Sequence, residues 1–267
     1  MPELPEVELT RRRLERELAG TTIARVDIRA PKLRHSIPAE LAAILPGRTI
    51  RALERRGKYL LLDCNPGWLV IHLGMTGFLK YLPDPQPPGK HDHFGLVFEG
   101  GGELRFHDPR KFGTVLWIAG NPAAHPLLAG IGPEPLTAAF DGAYLFTVSR
   151  SRRVAVKLLI MNAGIVAGVG NIYTNEALFR AGIRPDRRAE SLTAAECERL
   201  AAVVKEVLNE SIRLGSTYRV AEETVAYHPL EFNVYGRGKG NCTCCGGTLE
   251  EIRLGNRSTV FCPECQV

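Results

Sequence analysis

The residues best suited to chemistry lie at the two ends of the chain, and the C-terminal end holds five of the seven cysteines. Cys242 and Cys245 form one C-x-x-C pair, and Cys262 and Cys265 form a second pair after sixteen intervening residues. Two such pairs fit a zinc ion held by four thiolates, which leaves no open position for water and is therefore structural. Cys244 could compete with Cys245, but only Cys245 is followed by glycine, whose small size lets backbone amides turn back toward the sulfurs. We therefore predict one structural Zn2+, with Cys244 as a bystander.

The N-terminal end reads MPELPEVELT, with Pro2 directly behind the initiator methionine. A helix start explains Pro5, Glu3 and Glu6, because proline suits the first turn and carboxylates favour the positive end of the helix dipole. A helix start does not explain Pro2. Once Met1 is removed, the proline ring makes the terminal α-amine a secondary amine.

Composition indicates an ordinary globular protein of 267 residues, with a formal net charge of +5 and a pI near 8.9. This basic balance permits a polyanionic partner without requiring one. The sequence contains no secretory signal pattern and no apolar run of about 20 residues, so we expect a cytoplasmic protein without a membrane partner. Cys64 and Cys197 stand alone in regular segments, where we expect them to be buried.

The elements that must position these ends change character along the chain. Short apolar runs in the first half predict a β-rich domain behind one N-terminal helix, with EGGGE as a hairpin turn and PDPQPPGKHDH as a long exposed loop. After IGPEPLTAAF the periodicity is helical, GVGN predicts a tight turn, and Thr193 with Glu196 predicts a capping box for a helix that ends at Gly215. In the tail, TLEEIRLGNRSTVF predicts a β-hairpin with Arg257 near its tip, either as a solvated charge or inserted into a nucleic-acid groove.

A series of motifs runs nearly from end to end of the chain: PELPEVE, GKYLLL, HLGMTG, KHDH, DPRKFG, GPEPL, VAGVGNIYTNEALFRAGI, VYGR and the cysteine pattern. Together they resemble the formamidopyrimidine-DNA glycosylase family. The resemblance implies an α+β fold with an N-terminal helix and β-sandwich domain over 1–131, a helical domain with a helix-two-turn-helix over 132–232, and a β-hairpin zinc finger over 233–267. It also implies a monomeric enzyme of base-excision repair, acting on nucleoid DNA of a bacterial cytoplasm. Such an enzyme removes oxidised purines, 8-oxoguanine and formamidopyrimidines, from duplex DNA and cleaves the strand at the abasic site by β,δ-elimination.

The family uses its N-terminal proline as a nucleophile, and the matching residue here is Pro2. A model α-amine has a pKa near 8, so roughly a fifth of it is unprotonated near neutral pH, against about a thousandth for lysine. Attack on the anomeric carbon displaces the base and gives an iminium that permits elimination of the flanking phosphates. By the same resemblance, Glu3 is the acid/base residue, Lys58 is a strand-borne lysine that assists β-elimination, and Arg257 is implicated in δ-elimination. Glu6 is open to two interpretations, a helix-start charge or a direct catalytic role.

The resemblance also supplies residues that contact DNA. Three of them fill the gap left by an everted nucleotide, and the arginine among them can hydrogen-bond the orphaned cytosine: Met75, Arg110 and Phe112. Without the resemblance, Met75 and Phe112 would be expected in the core. Four further residues match phosphate contacts, near a turn whose amides form an anion site: His91, Arg152, Lys157 and Asn171. For His91 and Arg152, a structurally satisfied or solvated side chain is the alternative.

Other functions remain open from the sequence. The segment 216–232 departs from the family pattern, which leaves the lesion preference open. An endonuclease VIII-like enzyme for oxidised pyrimidines shares the architecture, but PELPEVE and the three gap-filling residues favour the purine enzyme. A catalytically weak sensor of damaged DNA or abasic sites needs no N-terminal amine, and a generic zinc-ribbon binder explains only the tail.

Overall fold

The computed structural model describes residues 1–215 and 231–267, which fall into two compact units, Met1–Ala129 and the described residues from Gly130 to Val267. The helices are α1 (Leu4–Leu18), α2 (Leu41–Ile44), α3 (Pro126–Ala129), α4 (Gly142–Ser149), α5 (Val156–Met161), α6 (Asn171–Arg180) and α7 (Ala194–Leu214). The strands are β1 (Ile23–Ile28), β2 (Ala52–Arg56), β3 (Tyr59–Asp63), β4 (Trp68–His72), β5 (Phe78–Leu82), β6 (Asp92–Phe98), β7 (Glu103–His107), β8 (Thr114–Ile118), β9 (Glu250–Leu254) and β10 (Arg257–Phe261). None of these helices is long and apolar enough to cross a membrane. The division into 1–131, 132–232 and 233–267 stays a prediction.

Helix α1 begins where the sequence places its start signals. Glu3 is the N-cap, a proline occupies the first turn, and Glu6 stands at the third helical position of a capping box. The apolar side of α1 packs on β2 and is buried at Val7, Leu14 and Leu18. The predicted N-terminal helix is confirmed.

Glu8 ties the polar side of α1 to the neighbouring strand. Its carboxylate lies 3.1 Å from the guanidinium of Arg11, 2.8 Å from that of Arg12 and 3.1 Å from that of Arg55 in β2. Burial alone would raise the pKa of Glu8, but the hydrogen bonds from these three arginines outweigh it and lower the pKa to about 2. The ion pairs therefore fix α1 on the sheet as long as Glu8 is ionised.

The first unit is the predicted β-sandwich. Its two antiparallel sheets have the strand orders β1-β6-β7-β5 and β2-β3-β4-β8. Both contribute to one apolar core, for example Leu96 and Phe106 from one sheet and Leu60 and Ile71 from the other. The glycines of EGGGE turn between β6 and β7 with positive φ, as predicted. The exposed loop occupies 83–91, two residues shorter than predicted, because Asp92 and His93 already belong to β6.

The second unit contains the predicted helices and the tail hairpin. Helix α7 begins at the Thr193–Glu196 capping box and ends at Gly215, whose φ of 91° is left-handed. Helices α4 and α6 pack on α7, and β9 and β10 pair as the predicted hairpin. An apolar cluster joins Phe179 of α6 to Val234 and Leu249 of the tail. The segment 216–232, whose departure from the family pattern was noted above, lies outside the described residues over 216–230.

Candidate active site and metal centre

The four predicted cysteine ligands come together. The Sγ atoms of Cys242, Cys245, Cys262 and Cys265 all lie within 4.8 Å of one another. The Cys242–Cys265 and Cys245–Cys262 Sγ distances are 3.8 Å and 3.5 Å, close to the edge of about 3.8 Å expected for a tetrahedron with zinc–sulfur bonds of about 2.3 Å. Cys244 is exposed and outside the cluster. The donor set therefore fits a metal ion.

The backbone around the cysteines explains this geometry. After Cys245 the chain turns through Gly246 at a φ of 76°, and the N–H of Gly247 donates to Cys245 Sγ at 3.4 Å. Next to the second C-x-x-C pair, Gln266 is 1% exposed. Its side chain accepts from the N–H of Cys262 at 2.9 Å and donates to the carbonyl of Ile183 at 2.8 Å. The sequence reasoning missed Gln266, although a polar residue directly after the last cysteine is a detectable signal.

The N-terminal residues are held by the start of α1. Pro2 is buried, and Glu3 and Glu6 are each 1% exposed. The backbone N–H of Glu3 donates to Glu6 Oε2 at 2.7 Å. Glu6 therefore fixes the backbone next to Pro2, which supports its helix-start role. A direct catalytic role for Glu6 stays a prediction.

Lys58 lies in the turn between β2 and β3, directly before β3, rather than inside a strand as expected. Its cation is close to His72, a residue that the sequence reasoning did not single out. Burial lowers the pKa of His72 to about 4, and the cations of Lys58 and Arg34 act in the same direction. The neutral ring accepts the backbone N–H of Gly74 at its Nδ1, at 3.0 Å. His72 therefore helps to shape the loop that follows β4.

Sheet pairing brings most of the predicted residues of the first unit to one end of the sandwich. His72, the last residue of β4, pairs with the first residues of β3 and β8. His107, the last residue of β7, pairs with the first residues of β5 and β6. The loops 73–77 and 108–113 therefore cross between the sheets at the end where β3, β5, β6 and β8 begin. This end carries Lys58, Met75, His91, Arg110 and Phe112.

The gap-filling candidates lie in these two crossing loops. Phe112 is 42% exposed. The core position that its residue type alone would suggest is therefore wrong. The guanidinium of Arg110 stacks over the Phe112 ring at 4.7 Å from its centroid. Met75 is half-buried in the other loop. An apolar ring and a cation thus project together at this end of the sandwich.

His91 and Arg152 already have protein partners. The half-buried His91 ring lies 6.2 Å from the ring of His93 and 5.7 Å from that of His107. Arg152 donates to the carbonyl of Val148 at 2.7 Å. These contacts fit the structural alternative, and phosphate binding by either residue stays a prediction.

Lys157 and Asn171 both bind the tail hairpin of the second unit. Lys157 is 0% exposed, and its Nζ donates to the Ser258 carbonyl at 2.8 Å and to Thr259 Oγ1 at 2.6 Å. Asn171 Nδ2 donates to the same Ser258 carbonyl at 3.2 Å. A direct phosphate contact would require Lys157 to leave these partners. In this structure the two side chains position the strand in which Arg257 is exposed.

The chain matches the family models described as Formamidopyrimidine-DNA glycosylase N-terminal domain, over residues 1–115, and Formamidopyrimidine-DNA glycosylase H2TH domain, over residues 131–222. A relative named formamidopyrimidine-DNA glycosylase from Geobacter metallireducens is 73% identical over 266 residues, which are 100% of both chains.

Two solved structures are similar to this chain over at least 98% of either length. MutM (FPG) from Thermus thermophilus is 39% identical, with a TM-score of 0.86 over 99% of this chain and 98% of that chain. Wild-type Lactococcus lactis Fpg (MutM), in complex with DNA containing N7-benzyl-Fapy-dG, is 33% identical, with a TM-score of 0.91 over 99% of both chains.

Proposed function

The chain belongs to the formamidopyrimidine-DNA glycosylase family and is a base-excision-repair glycosylase for oxidised purines with abasic-site lyase activity, and we propose that Pro2 is its nucleophile. The observation that carries the proposal is the position of Pro2, buried directly before the capped start of α1. A nucleophile held by a helix N-terminus has a fixed direction, which favours attack on a single sugar carbon.

The reaction follows from a secondary amine at the N-terminus. After removal of Met1, the Pro2 nitrogen attacks C1′ of the damaged nucleotide, and the bond from C1′ to the base breaks. Opening of the sugar ring gives an iminium between C1′ and the proline nitrogen. The iminium acidifies C2′–H, so loss of that proton expels the 3′-phosphate, and a second elimination expels the 5′-phosphate.

Neighbouring residues of the first unit move protons and bind charge. Glu3, directly after the nucleophile, protonates the sugar ring oxygen as the ring opens and accepts protons during elimination. Lys58 binds the phosphate beside the everted sugar and assists β-elimination. The cation of Lys58 also helps to keep His72 neutral, since it lowers the pKa of that ring.

The second unit supplies further contacts with the phosphates. Arg257 binds the DNA phosphates around the lesion and assists δ-elimination. Asn171 lies at the start of α6, beside backbone amides that can bind an anion. His91 and Arg152 are further candidates for phosphate binding, with the structural role described above as the alternative. The cysteine cluster holds one structural Zn2+, because four thiolates with tetrahedral spacing leave no site for substrate.

The partner is duplex DNA that contains oxidised purines or abasic sites, bound by a monomer in the cytoplasm. Met75, Arg110 and Phe112 fill the gap left by the everted nucleotide, which recovers part of the few kcal/mol that unstacking costs. Relatives in complex with lesion-containing DNA support this partner.

Borohydride trapping tests the proposal. Protein whose loss of Met1 has been verified by intact mass is reduced in the presence of duplexes carrying 8-oxoguanine opposite cytosine, a formamidopyrimidine, dihydrothymine or an abasic site. We expect covalent capture with the purine lesions and the abasic site, and its loss in Pro2→Gly. Pro83→Gly, in the exposed loop 83–91, is the matched control and should trap normally.

Two results would contradict the proposal. Trapping that persists unchanged in a protein whose Pro2 nitrogen is acylated by a retained N-terminal extension would exclude Pro2 as the nucleophile. Trapping with dihydrothymine alone would instead indicate the pyrimidine enzyme. Duplex affinity should also fall steeply with salt, because several phosphate contacts release counterions, and a flat dependence would count against duplex binding.

A further inference from the structure

We propose that Asp108 is a positioning residue that holds the loops 73–77 and 108–113 together, so that Met75, Arg110 and Phe112 enter DNA as one preassembled wedge. The proposal rests on the proposed function, because it concerns how the gap-filling residues are held. Asp108 itself contacts neither DNA nor the reacting atoms.

The carboxylate of Asp108 joins the two loops directly. Asp108 is 0% exposed and lies at the start of the second loop. Its Oδ2 accepts the backbone N–H of Gly113 at 2.8 Å, which closes the loop over Arg110 and Phe112. Its Oδ1 accepts from Thr76 Oγ1 at 3.4 Å, next to Met75 in the first loop. One buried side chain therefore contacts both parts of the wedge.

The backbone of Asp108 adds further anchors. Its carbonyl accepts the N–H of Lys111 at 3.2 Å, and Lys111 adopts a positive φ of 55°, so the loop makes a tight turn. The same carbonyl contacts His93 Nε2 at 3.0 Å. The N–H of Asp108 donates to the carbonyl of His91 at 2.9 Å. Asp108 thus also connects the wedge to a candidate phosphate-binding residue.

Backbone contact between the two loops is a second, independent observation. A Cβ on Gly74 would lie 2.5 Å from the carbonyl carbon of Phe112 and 2.6 Å from the nitrogen of Gly113. Such distances leave no room for a side chain, so the loops touch through Gly74. The N–H of Gly74 also donates to His72 Nδ1, which holds the first loop to the end of β4.

This arrangement explains how two short loops can act as one element. Everting a nucleotide exposes stacked bases, and a wedge recovers that cost only if its parts arrive in a fixed geometry. Arg110 stacks on Phe112, so any movement of the Phe112 loop moves the group that faces the opposite base. Loss of Asp108 should therefore weaken both eversion and the discrimination of the opposite base.

Single-turnover excision of 8-oxoguanine opposite cytosine and opposite adenine tests the inference. We expect Asp108→Ala to slow excision opposite cytosine roughly 10- to 100-fold, the range for a buried group that loses its hydrogen-bond partner. The preference for cytosine over adenine should fall as well. Asp108→Asn should retain most activity, since its amide oxygen can accept from Gly113 while its amide group donates to Thr76 Oγ1. Cleavage of an abasic site in single-stranded DNA should not change, because no base has to be everted.

A double-mutant cycle with Phe112→Ala separates positioning from a general structural defect. If Asp108 acts through the wedge, Asp108→Ala combined with Phe112→Ala should be no slower than the slower single variant. Asp84→Ala, in the exposed loop 83–91, is the control for an aspartate of the same unit and should behave as wild type. If Asp108→Ala does not fold, the same measurements on Thr76→Val test the inference. We expect Thr76→Val to lose less excision rate than Asp108→Ala would.

Full additivity in the cycle, or an unchanged cytosine preference in a folded Asp108→Ala or Thr76→Val protein, would overturn the inference. Failure of the proposed function has a different signature, because wild-type protein would then not excise 8-oxoguanine at all. With a fluorescent 2-aminopurine placed opposite the lesion, the rate of the fluorescence change on eversion should rank the variants in the same order as their excision rates.

Discussion

Replacement of Glu6 distinguishes the two roles that the sequence leaves open for this carboxylate. In the structure, Glu6 Oε2 accepts the backbone N–H of Glu3 at 2.7 Å, in a place where both residues are 1% exposed. Glutamine at this helical position accepts the same hydrogen bond, whereas alanine does not. A positioning role predicts that Glu6→Gln is tolerated and Glu6→Ala is not.

The size of the effect follows from burial. A buried N–H that loses its acceptor costs about 1–3 kcal/mol. At about 3 °C per kcal/mol for a chain of this size, Glu6→Ala should lower Tm by roughly 3–9 °C. The start of α1 also holds Pro2, and a shift of about 1 Å at a reacting group can cost about 10²-fold in rate. We therefore expect Glu6→Ala to slow Schiff-base formation at least about tenfold.

Two measurements on the same proteins check this. Thermal unfolding gives Tm, and borohydride trapping on an abasic-site duplex under single-turnover conditions gives the rate of Schiff-base formation. Glu17→Ala, at an exposed position of the same helix, controls for the removal of a glutamate from α1 and should match wild type in both.

The refuting result is specific. If Glu6→Gln traps DNA as slowly as Glu6→Ala while its Tm equals that of wild type, the carboxyl group itself takes part in the chemistry. The capping account would then be wrong, and Glu6 would join Glu3 as a proposed acid/base group.

Two further predictions concern the ion pairs and the metal site. The pKa of Glu8 in the folded protein is about 2, below its ordinary value of 4.5, so its contribution to stability is complete above pH 4.5 and is lost as the pH falls toward 2. Glu8→Gln should therefore lower the free energy of unfolding at pH 7 by roughly 1–2 kcal/mol, the value being limited by partial solvent screening, and should flatten the acid limb of a urea-unfolding pH series. A limb as steep as that of wild type would contradict this. At the metal site, Cys245→Ser should lose bound zinc by elemental analysis and Cys244→Ser should retain it, whereas equal losses would contradict the choice of ligands.

Local signals account for the parts of the fold that the sequence predicted. The capping box at Thr193, the left-handed Gly215 and the spacing within each C-x-x-C pair act within a few residues, so the local sequence determines them. The glycine turn between β6 and β7 belongs to the same class. Such features need no knowledge of distant contacts.

Contacts between distant segments account for what the sequence missed. Lys157 is buried because the hairpin that accepts its hydrogen bonds lies about a hundred residues further along the chain. His72 ends a strand and Asp108 directly follows one, and neither stands out in the sequence until sheet pairing brings the loops 73–77 and 108–113 together. The family resemblance predicted which side chains contact DNA, but it did not predict which residues hold those side chains in place.

The buried polar residues of this protein share one physical pattern. Glu6, Asp108, Lys157 and Gln266 each bind main-chain groups, and each does so beside a residue proposed to act on DNA or on the metal. Buried polar groups contribute little net stability compared with apolar ones, so stability alone does not explain their positions. Because they bind the backbone, they fix the course of the helix start, loop, strand or turn that presents the neighbouring side chain. Phe112 and Arg257 are consequently exposed on well-anchored segments. If these side chains enter a duplex as proposed, this combination is needed, since a mobile loop would lose in ordering entropy what its contacts with DNA provide.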